Sequence, residues 1–427
     1  MVSTPAPRNW FPLLPPLMLL GVVIGVICIP LNMVDALVDE VLTEGFAHGL
    51  PLWAKLLPLL AMPVLLKLQQ RLFAAGSGSG IPQTVACIEK PERSAELLGL
   101  KPLLMRLTLW GLAASALLPI GREGPVVVVG ACAVWLLRRS LTGATAAVGT
   151  PVLLAAAGGA GLAAGFNTPM VAIVFAAEDL LKRFNLPLVW TAIPVALLAA
   201  LIAAVGGEPM FAYGELPTLI EGPRQMLFAI PVGVMGGLLG ALFSGLMLLF
   251  TRRLAPLAAK QPIPLGLLLG GGLSLMAFGN PRVLGQGSAV LHDLINTGGP
   301  TSLLEGLAVL GERVLGPVLV LGSGVPGGLI DPALALGATL GTIFMPIFTG
   351  HSGLLGLICG MAAGLAGATQ LPIFAAMFTL KLCGALQCIP AMLVASGLAA
   401  VISRALQPHP VYHALAEVFI QRLERRS

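Results

Sequence analysis

Residues 121–131 read GREGPVVVVGA, and residues 328–338 read GLIDPALALGA. Both begin with glycine, place proline fifth and run through apolar residues to a closing Gly-Ala. Each has the form of a helix start. Glycine lets the chain turn tightly, and proline suits the first helical turn, where its missing N–H costs nothing. A second pair follows in the same order, AGLAAGFNTP at 160–169 and AGLAGATQLP at 363–372. The separations are 207 and 203 residues. One such match is unremarkable in an Ala- and Gly-rich chain. Two in order, at nearly one offset, point to a duplicated half.

The surrounding chain is apolar from end to end. Of 427 residues, 57% are hydrophobic and 10% charged, with a mean hydropathy of +0.94. Soluble domains carry about 25% charged residues. This composition excludes a soluble enzyme, a nucleic-acid-binding protein and a disordered hub. It predicts one polytopic transmembrane unit over 1–427, with repeat halves at 10–215 and 222–427. The six cysteines have no CxxC spacing and read as buried thiols rather than disulfides or metal ligands. The first apolar run is too long for a cleavable leader.

Apolar runs lie at 11–38, 51–68, 80–89, 102–119, 125–137, 148–164, 169–181, 187–205, 224–250, 263–278, 302–320, 328–348, 353–368, 372–386, 389–406 and 411–423. A spanning helix needs about 20 apolar residues, so several of these are re-entrant or broken. Basic residues cluster at Lys67–Lys101, Arg138–Arg139, Lys182–Arg183, Arg252–Lys260 and Arg422–Arg426. A loop at 35–50 (Asp35, Asp39, Glu40, Glu44) and another at 206–221 (Glu208, Glu215, Glu221) carry acids and no base. The positive-inside rule places the basic loops and both termini in the cytoplasm.

Four places interrupt the apolar pattern. They are Gly78-Ser79-Gly80-Ile81-Pro82, Gly121-Arg122-Glu123-Gly124-Pro125, GSGVPGGLIDP at 322–332, and His409-Pro410-Val411-Tyr412. Each precedes or opens a helix, and the bare N–H groups of a helix N-terminus attract anions without a full positive charge. Conduction needs binding weak enough to release. Several such termini converging on one point suggest a pathway for a small inorganic anion.

These motifs resemble the CLC family of chloride channels and chloride/proton exchangers. GSGIP at 78–82 and GREGP at 121–125 match two signature motifs of that family, and GSGVPGGLIDP resembles a third. Tyr412 stands where the family places a tyrosine near the chain end. The resemblance covers nearly the whole chain. It implies an all-α fold of two inverted-topology halves, about eight helices each, in a homodimer with one pore per subunit. It implies a chloride/proton antiporter of a bacterial inner membrane, not an enzyme, with chloride as substrate and no cofactor or metal. By the same resemblance, Ser79 and Tyr412 are hydroxyl donors at a central anion site, and Leu329 and Ile330 supply backbone N–H donors. Glu123 is the gate. Its carboxylate occupies an anion site, and on protonation it swings out. Exchangers carry a second, internal acid on the helix after an N-x-P turn, and counting from Asn167-Thr168-Pro169 puts that position at Asp179.

The departures from the family pattern are Ile330, where a phenylalanine is usual, Lys381, where many relatives carry an acid, and Asp331. Asp331 could cap a helix beginning at Pro332, pair with Arg122, or titrate together with Glu123, and the first two are favoured here. His48, His292, His351 and His413 fall in or near loops and receive no role. The rivals are a passive anion channel, which would lack a working internal acid, and a fluoride exporter, which usually lacks the GSGIP serine. An intramembrane hydrolase using Ser77 or Ser79 would need a histidine base inside a span.

Overall fold

A computed structural model of the chain describes residues 10–205, 209, 211–217, 226–300, 302–349 and 353–424. Residues 1–9, Glu208, Glu221, His351, Arg425 and Arg426 lie outside the described residues. The helices are α1 (Leu14–His48), α2 (Leu52–Arg71), α3 (Ile81–Glu89), α4 (Ser94–Leu97), α5 (Leu100–Ser115), α6 (Glu123–Leu136), α7 (Thr142–Val148), α8 (Thr150–Phe166), α9 (Pro169–Phe175), α10 (Leu186–Ala203), α11 (Ala229–Lys260), α12 (Pro262–Gly279), α13 (Ser288–Thr297), α14 (Leu303–Gly322), α15 (Ile330–Thr349), α16 (Leu354–Thr369), α17 (Pro372–Cys383), α18 (Ile389–Leu406) and α19 (Val411–Glu424). Among the described residues, seven helices are long and apolar enough to cross a membrane, or nine if two bent pairs count as spans. The protein is a multi-pass membrane protein.

Small residues set the helix packing. Lipid gives helices no hydrophobic reason to associate, so close backbone contact has to do it. A Cβ on Gly130 would lie 1.8 Å from the Ala157 carbonyl oxygen, and one on Gly161 would lie 1.9 Å from that of Val126, locking α6 to α8. Displaced by 207 and 203 positions, Gly337 meets the Gly360 carbonyl and Gly364 meets that of Ala333, locking α15 to α16. Likewise Gly21 and Gly25 of α1 abut Val195 and Ala199 of α10, as Gly233 and Gly237 of α11 abut Ala395 and Ala399 of α18. The two FNTP-like turns also match. Asn167 and Gln370 end α8 and α16 with positive φ of 47° and 64°, and a proline opens the next helix two residues later.

Some expectations change. Asp35, Asp39, Glu40 and Glu44 are not in a loop, because α1 continues to His48 and stops only at Gly49, φ 93°. No Gly or Pro breaks it between Pro30 and Gly45, and acids tolerate a helix once it leaves the apolar layer. The third motif opens its helix at Ile330, not Pro332, so Asp331 lies in the first turn rather than before it. Helix α13 has no counterpart among the apolar runs. Val290, Leu291 and Leu294 are buried while Asn296 and Thr297 are exposed, so its apolar face is too narrow to read as a run. All six cysteines are buried free thiols.

Gly161→Val is expected to abolish the folded, monodisperse protein on size-exclusion chromatography, because the Val126 backbone cannot yield. Gly111 in α5 has nothing within 4 Å of its would-be Cβ. There Gly111→Ala should stabilise by about 0.5–1 kcal/mol, as helix propensity alone dictates, read as a raised Tm.

Candidate anion and proton pathway

Gly78 and Gly80 precede α3 with φ of 82° and 113°, a region only glycine enters freely. Two devices hold this loop. Gln83 accepts from the Gly80 N–H at 2.9 Å and donates to the Ser77 carbonyl at 3.1 Å. The buried Arg106 of α5 donates to the carbonyls of Gly78 (3.2 Å) and Ser77 (3.3 Å). The loop also touches the other two motifs through bare backbone. Gly78 N–H donates to the Gly324 carbonyl at 2.8 Å. A Cβ on Gly124 would meet the Ser79 carbonyl at 2.3 Å and the Gly327 carbonyl at 2.8 Å.

Where they meet is a cavity of about 60 Å³ lined by Ser79, Pro82, Val325, Leu329 and Tyr412 among others. Among the described residues the buried Ser79 and Tyr412 hydroxyls donate to no protein acceptor, and the Leu329 N–H lies close to the Tyr412 oxygen. Each hydroxyl is therefore able to donate to a guest. On the same measure a water needs about 10–15 Å³, so the space suits a small ion with little hydration. The structure thus brings Ser79, Leu329 and Tyr412 together. Ile330 begins α15 beside them.

Gly121 and Gly328 bond each other reciprocally, N–H to carbonyl, at 3.0 and 2.8 Å, and the Trp110 indole N–H donates to Gly121 as well. The Glu123 side chain folds onto this pair. A Cβ on Gly328 would fall 1.3 Å from Glu123 Oε2, and one on Gly121 2.2 Å from it. The other oxygen, Oε1, accepts the backbone N–H of Asp331 in a short bond. The Glu123 carboxylate therefore sits at the N-terminus of α15, where the helix favours negative charge.

Arg122 has its ion pair with Asp35 rather than Asp331, although its charge still reaches Asp331. Its Nη1 pairs with Asp35 Oδ2 of α1 at 2.6 Å, and its guanidinium lies 4.3 Å from the Phe166 ring centre. Gln286 donates to the same Asp35 carboxylate at 2.9 Å. Neither favoured reading of Asp331 holds, since it neither precedes its helix nor pairs with Arg122. Its carboxyl instead neighbours that of Glu123. Beyond Arg122 opens a cavity of about 390 Å³ lined by Asp35, Asp39, Glu40, Glu44 and His292.

At the other end, α9 passes into a π-helical turn, Ala176–Leu180, that carries Asp179 inward and only 1% exposed. The neighbouring Glu178 caps α17, accepting from the N–H groups of Ile373 (3.2 Å) and Phe374 (2.7 Å). Tyr412 is within electrostatic reach of Glu123, Asp179 and Asp331.

Sequence reasoning missed three groups. Arg106 was not singled out. Its counterpart 207 positions on, Arg313 of α14, holds the carbonyls of Gly285 (2.9 Å) and Gln286. The loop Gly285–Gly287 repeats the 78–80 loop at the same offset, with φ of 71° and 132° at its glycines. A scan at a fixed offset of 207 finds all of these. The third group is His413, given no role above, which is buried in the first turn of α19. Its ring nitrogens face Asp179 and Glu89, so it is not a base for Ser79.

A family profile described as voltage gated chloride channel matches residues 60–404. The H(+)/Cl(-) exchange transporter ClcA of Vibrio campbellii is 28% identical over 82% of this chain and 75% of its own length. The voltage-gated ClC-type chloride channel ClcB of Salmonella typhimurium is 29% identical over 69% of this chain and 70% of its own. The crystal structure of a slow cyanobacterial Cl-/H+ antiporter superposes with a TM-score of 0.77 at 22% identity, over 95% of this chain and 98% of that one. This last likeness is one of fold.

Asp35→Asn removes the carboxylate that Arg122 holds inside the fold. Breaking a buried pair costs about 3–5 kcal/mol, so thermal unfolding in detergent should show a large drop in Tm. Asp331→Asn leaves that pair intact and should change Tm far less.

Proposed function

The chain belongs to the voltage gated chloride channel family, and on that footing we propose that it is a chloride/proton antiporter. One observation carries the reading. A carboxylate, Glu123, lies on the N-terminal backbone of α15, where an anion would be held, and its Oε1 takes the Asp331 N–H. A group that competes for an anion's place and also carries a proton links the two ions directly.

In this reading a chloride in the central cavity is held by the Ser79 and Tyr412 hydroxyls and the N–H groups of Leu329 and Ile330. No full positive charge sits there, so the ion can leave. The ionised Glu123 blocks the next place along the route. Protonation removes its charge, the side chain leaves the α15 N-terminus, and an anion takes the vacated place. The proton is then delivered to the opposite side through Asp179. An aspartate is one methylene shorter than the glutamate usual at that position and carries the same carboxyl group.

The wider arrangement is proposed with it. The halves 10–215 and 222–427 are taken to have inverted topology; the paired glycine contacts support the duplication, and the antiparallel Gly121–Gly328 bridge supports the inversion. Basic loops and both termini face the cytoplasm of a bacterial inner membrane. Two copies form a dimer, each with its own pore. Helices α9 and α17 support this, since they pack together and have only 7 and 12 residues. Too short to span about 30 Å of hydrocarbon, they still expose Met170 (68%) and Ile373 (46%), an apolar face suited to a second copy.

Purified protein in liposomes, with chloride and proton fluxes recorded together, tests this reading. Chloride driven down its gradient should move protons the opposite way. Chloride flux without proton movement would make the protein a passive channel. Glu123→Gln should retain chloride flux and lose proton flux, since an amide neither competes as a charge nor carries a proton. Asp179→Asn should lower proton flux far more than chloride flux. Proton pumping unchanged in both variants would overturn the assignment.

A further inference from the structure

His413 lies in the first turn of α19, directly after Tyr412, and is 7% exposed. Its Nε2 is 3.1 Å from the Asp179 carbonyl oxygen and 3.6 Å from Asp179 Oδ1. On the far edge of the ring, Nδ1 is 3.3 Å from Glu89 Oε1, at the C-terminal end of α3. The two carboxyls differ in their access to water. Asp179 is 1% exposed, whereas the Glu89 side chain is 46% exposed. One imidazole thus spans from a sealed acid to an open one. Glu178, the other acid of the π turn, is occupied with the N-terminus of α17. Among the described residues, Lys182, on the segment after the turn, also acts on the ring through its charge.

A ring that only braced α19 against the π turn would be satisfied by the Asp179 carbonyl. It would not need a carboxylate at its second nitrogen or the Asp179 carboxyl beside its first. Imidazole is also the side chain that accepts and gives up a proton near neutral pH at each of two separate atoms.

We propose that His413 relays protons between Asp179 and the aqueous side at Glu89. This rests on the reading of Asp179 as the internal proton site. The ring donates from Nε2 to the Asp179 carbonyl only in its Nε2–H form; in the Nδ1–H form Nε2 faces Oδ1 instead, and the protonated Asp179 carboxyl passes its proton to it. The resulting imidazolium loses the proton on Nδ1 to the Glu89 carboxylate, which releases it to water. One proton has moved, and Asp179 is ionised. The neutral ring now carries hydrogen on Nε2, and exchange through water, with that proton lost from Nε2 and another taken up at Nδ1, restores the first tautomer. The same steps run backwards for uptake.

The test uses the full-length protein in liposomes, with chloride and proton fluxes recorded together. His413→Gln keeps a polar side chain that cannot titrate. It should retain chloride flux while proton flux falls about a hundredfold or more, the lower end of what a positioned proton-transfer group contributes. His413→Ala should behave alike, and imidazole added on the Glu89 side should restore its proton flux. The same imidazole should not restore Asp179→Asn. Glu89→Gln should show a smaller loss, because water can take the proton from Nδ1. Wild-type proton flux in His413→Gln would overturn the relay and leave antiport standing. Equal loss of both fluxes in both His413 variants, without imidazole rescue, would make His413 a brace and overturn the relay. A wild-type protein with no coupled proton flux would overturn the antiport reading and the relay with it.

Discussion

The reciprocal backbone bonds between Gly121 and Gly328 set the terms for everything around them. They join the segment before α6 to the segment before α15 with no side chain between. Neither residue has room for one, because the Glu123 carboxylate fills the space where a Cβ would stand. The pairing fixes the α15 N-terminus opposite the first turn of α6, so that Glu123 reaches the N–H of Asp331. It also leaves the Gly327–Leu329 backbone facing Gly124 and the cavity of Ser79 and Tyr412. An anion site of neutral donors needs this kind of backbone proximity, since each N–H contributes only a partial charge.

The same plan is used twice with different ends. Arg106 grips the loop before α3, and Arg313 grips the loop before α13. Both guanidiniums are buried, and each donates to backbone carbonyls, for which five N–H donors are well suited. The loops then diverge. Ser79 keeps its hydroxyl without a protein partner beside the central cavity. At the matching place Gln286 donates to Asp35 and Ser288, and Ser288 bonds Asp39. A carboxylate-bearing helix thus closes over the second loop, while the first stays available to a guest. Side chains, not backbone geometry, break the likeness.

Much of this was legible in the sequence because glycine and proline mark helix starts in any environment. The motifs at 78–82, 121–125 and 322–332 lie at helix starts, although α15 begins at Ile330 rather than Pro332. What escaped were groups whose meaning depends on a distant partner. Arg122 had Asp331 as its obvious neighbour by motif, but the fold brings Asp35 from α1 instead. Arg106 reads as an ordinary basic residue in an apolar run until the loop it holds is seen. His413 follows a motif tyrosine, and only the π turn and the end of α3 give it two acids. Helix α13 was passed over because its apolar face is narrow and its start, Gly-Gln-Gly-Ser, lacks the proline of GSGIP.

Helix α1 extends past its apolar stretch, so Asp35, Asp39, Glu40 and Glu44 share one cavity, in which Arg122 is already matched by Asp35. The cavity mouth therefore has a negative potential, stronger for being enclosed by low-dielectric walls. Cations, protons among them, accumulate there above their bulk concentration, while anions are depleted. The acids that line such a well sense its local acidity rather than that of the surrounding medium. The gap between the two narrows as ionic strength rises, because the Debye length is about 10 Å at 0.1 M salt and shortens to about 3 Å at 1 M. Salt thus acts on this face of the protein as a dial on the pH that its acids experience.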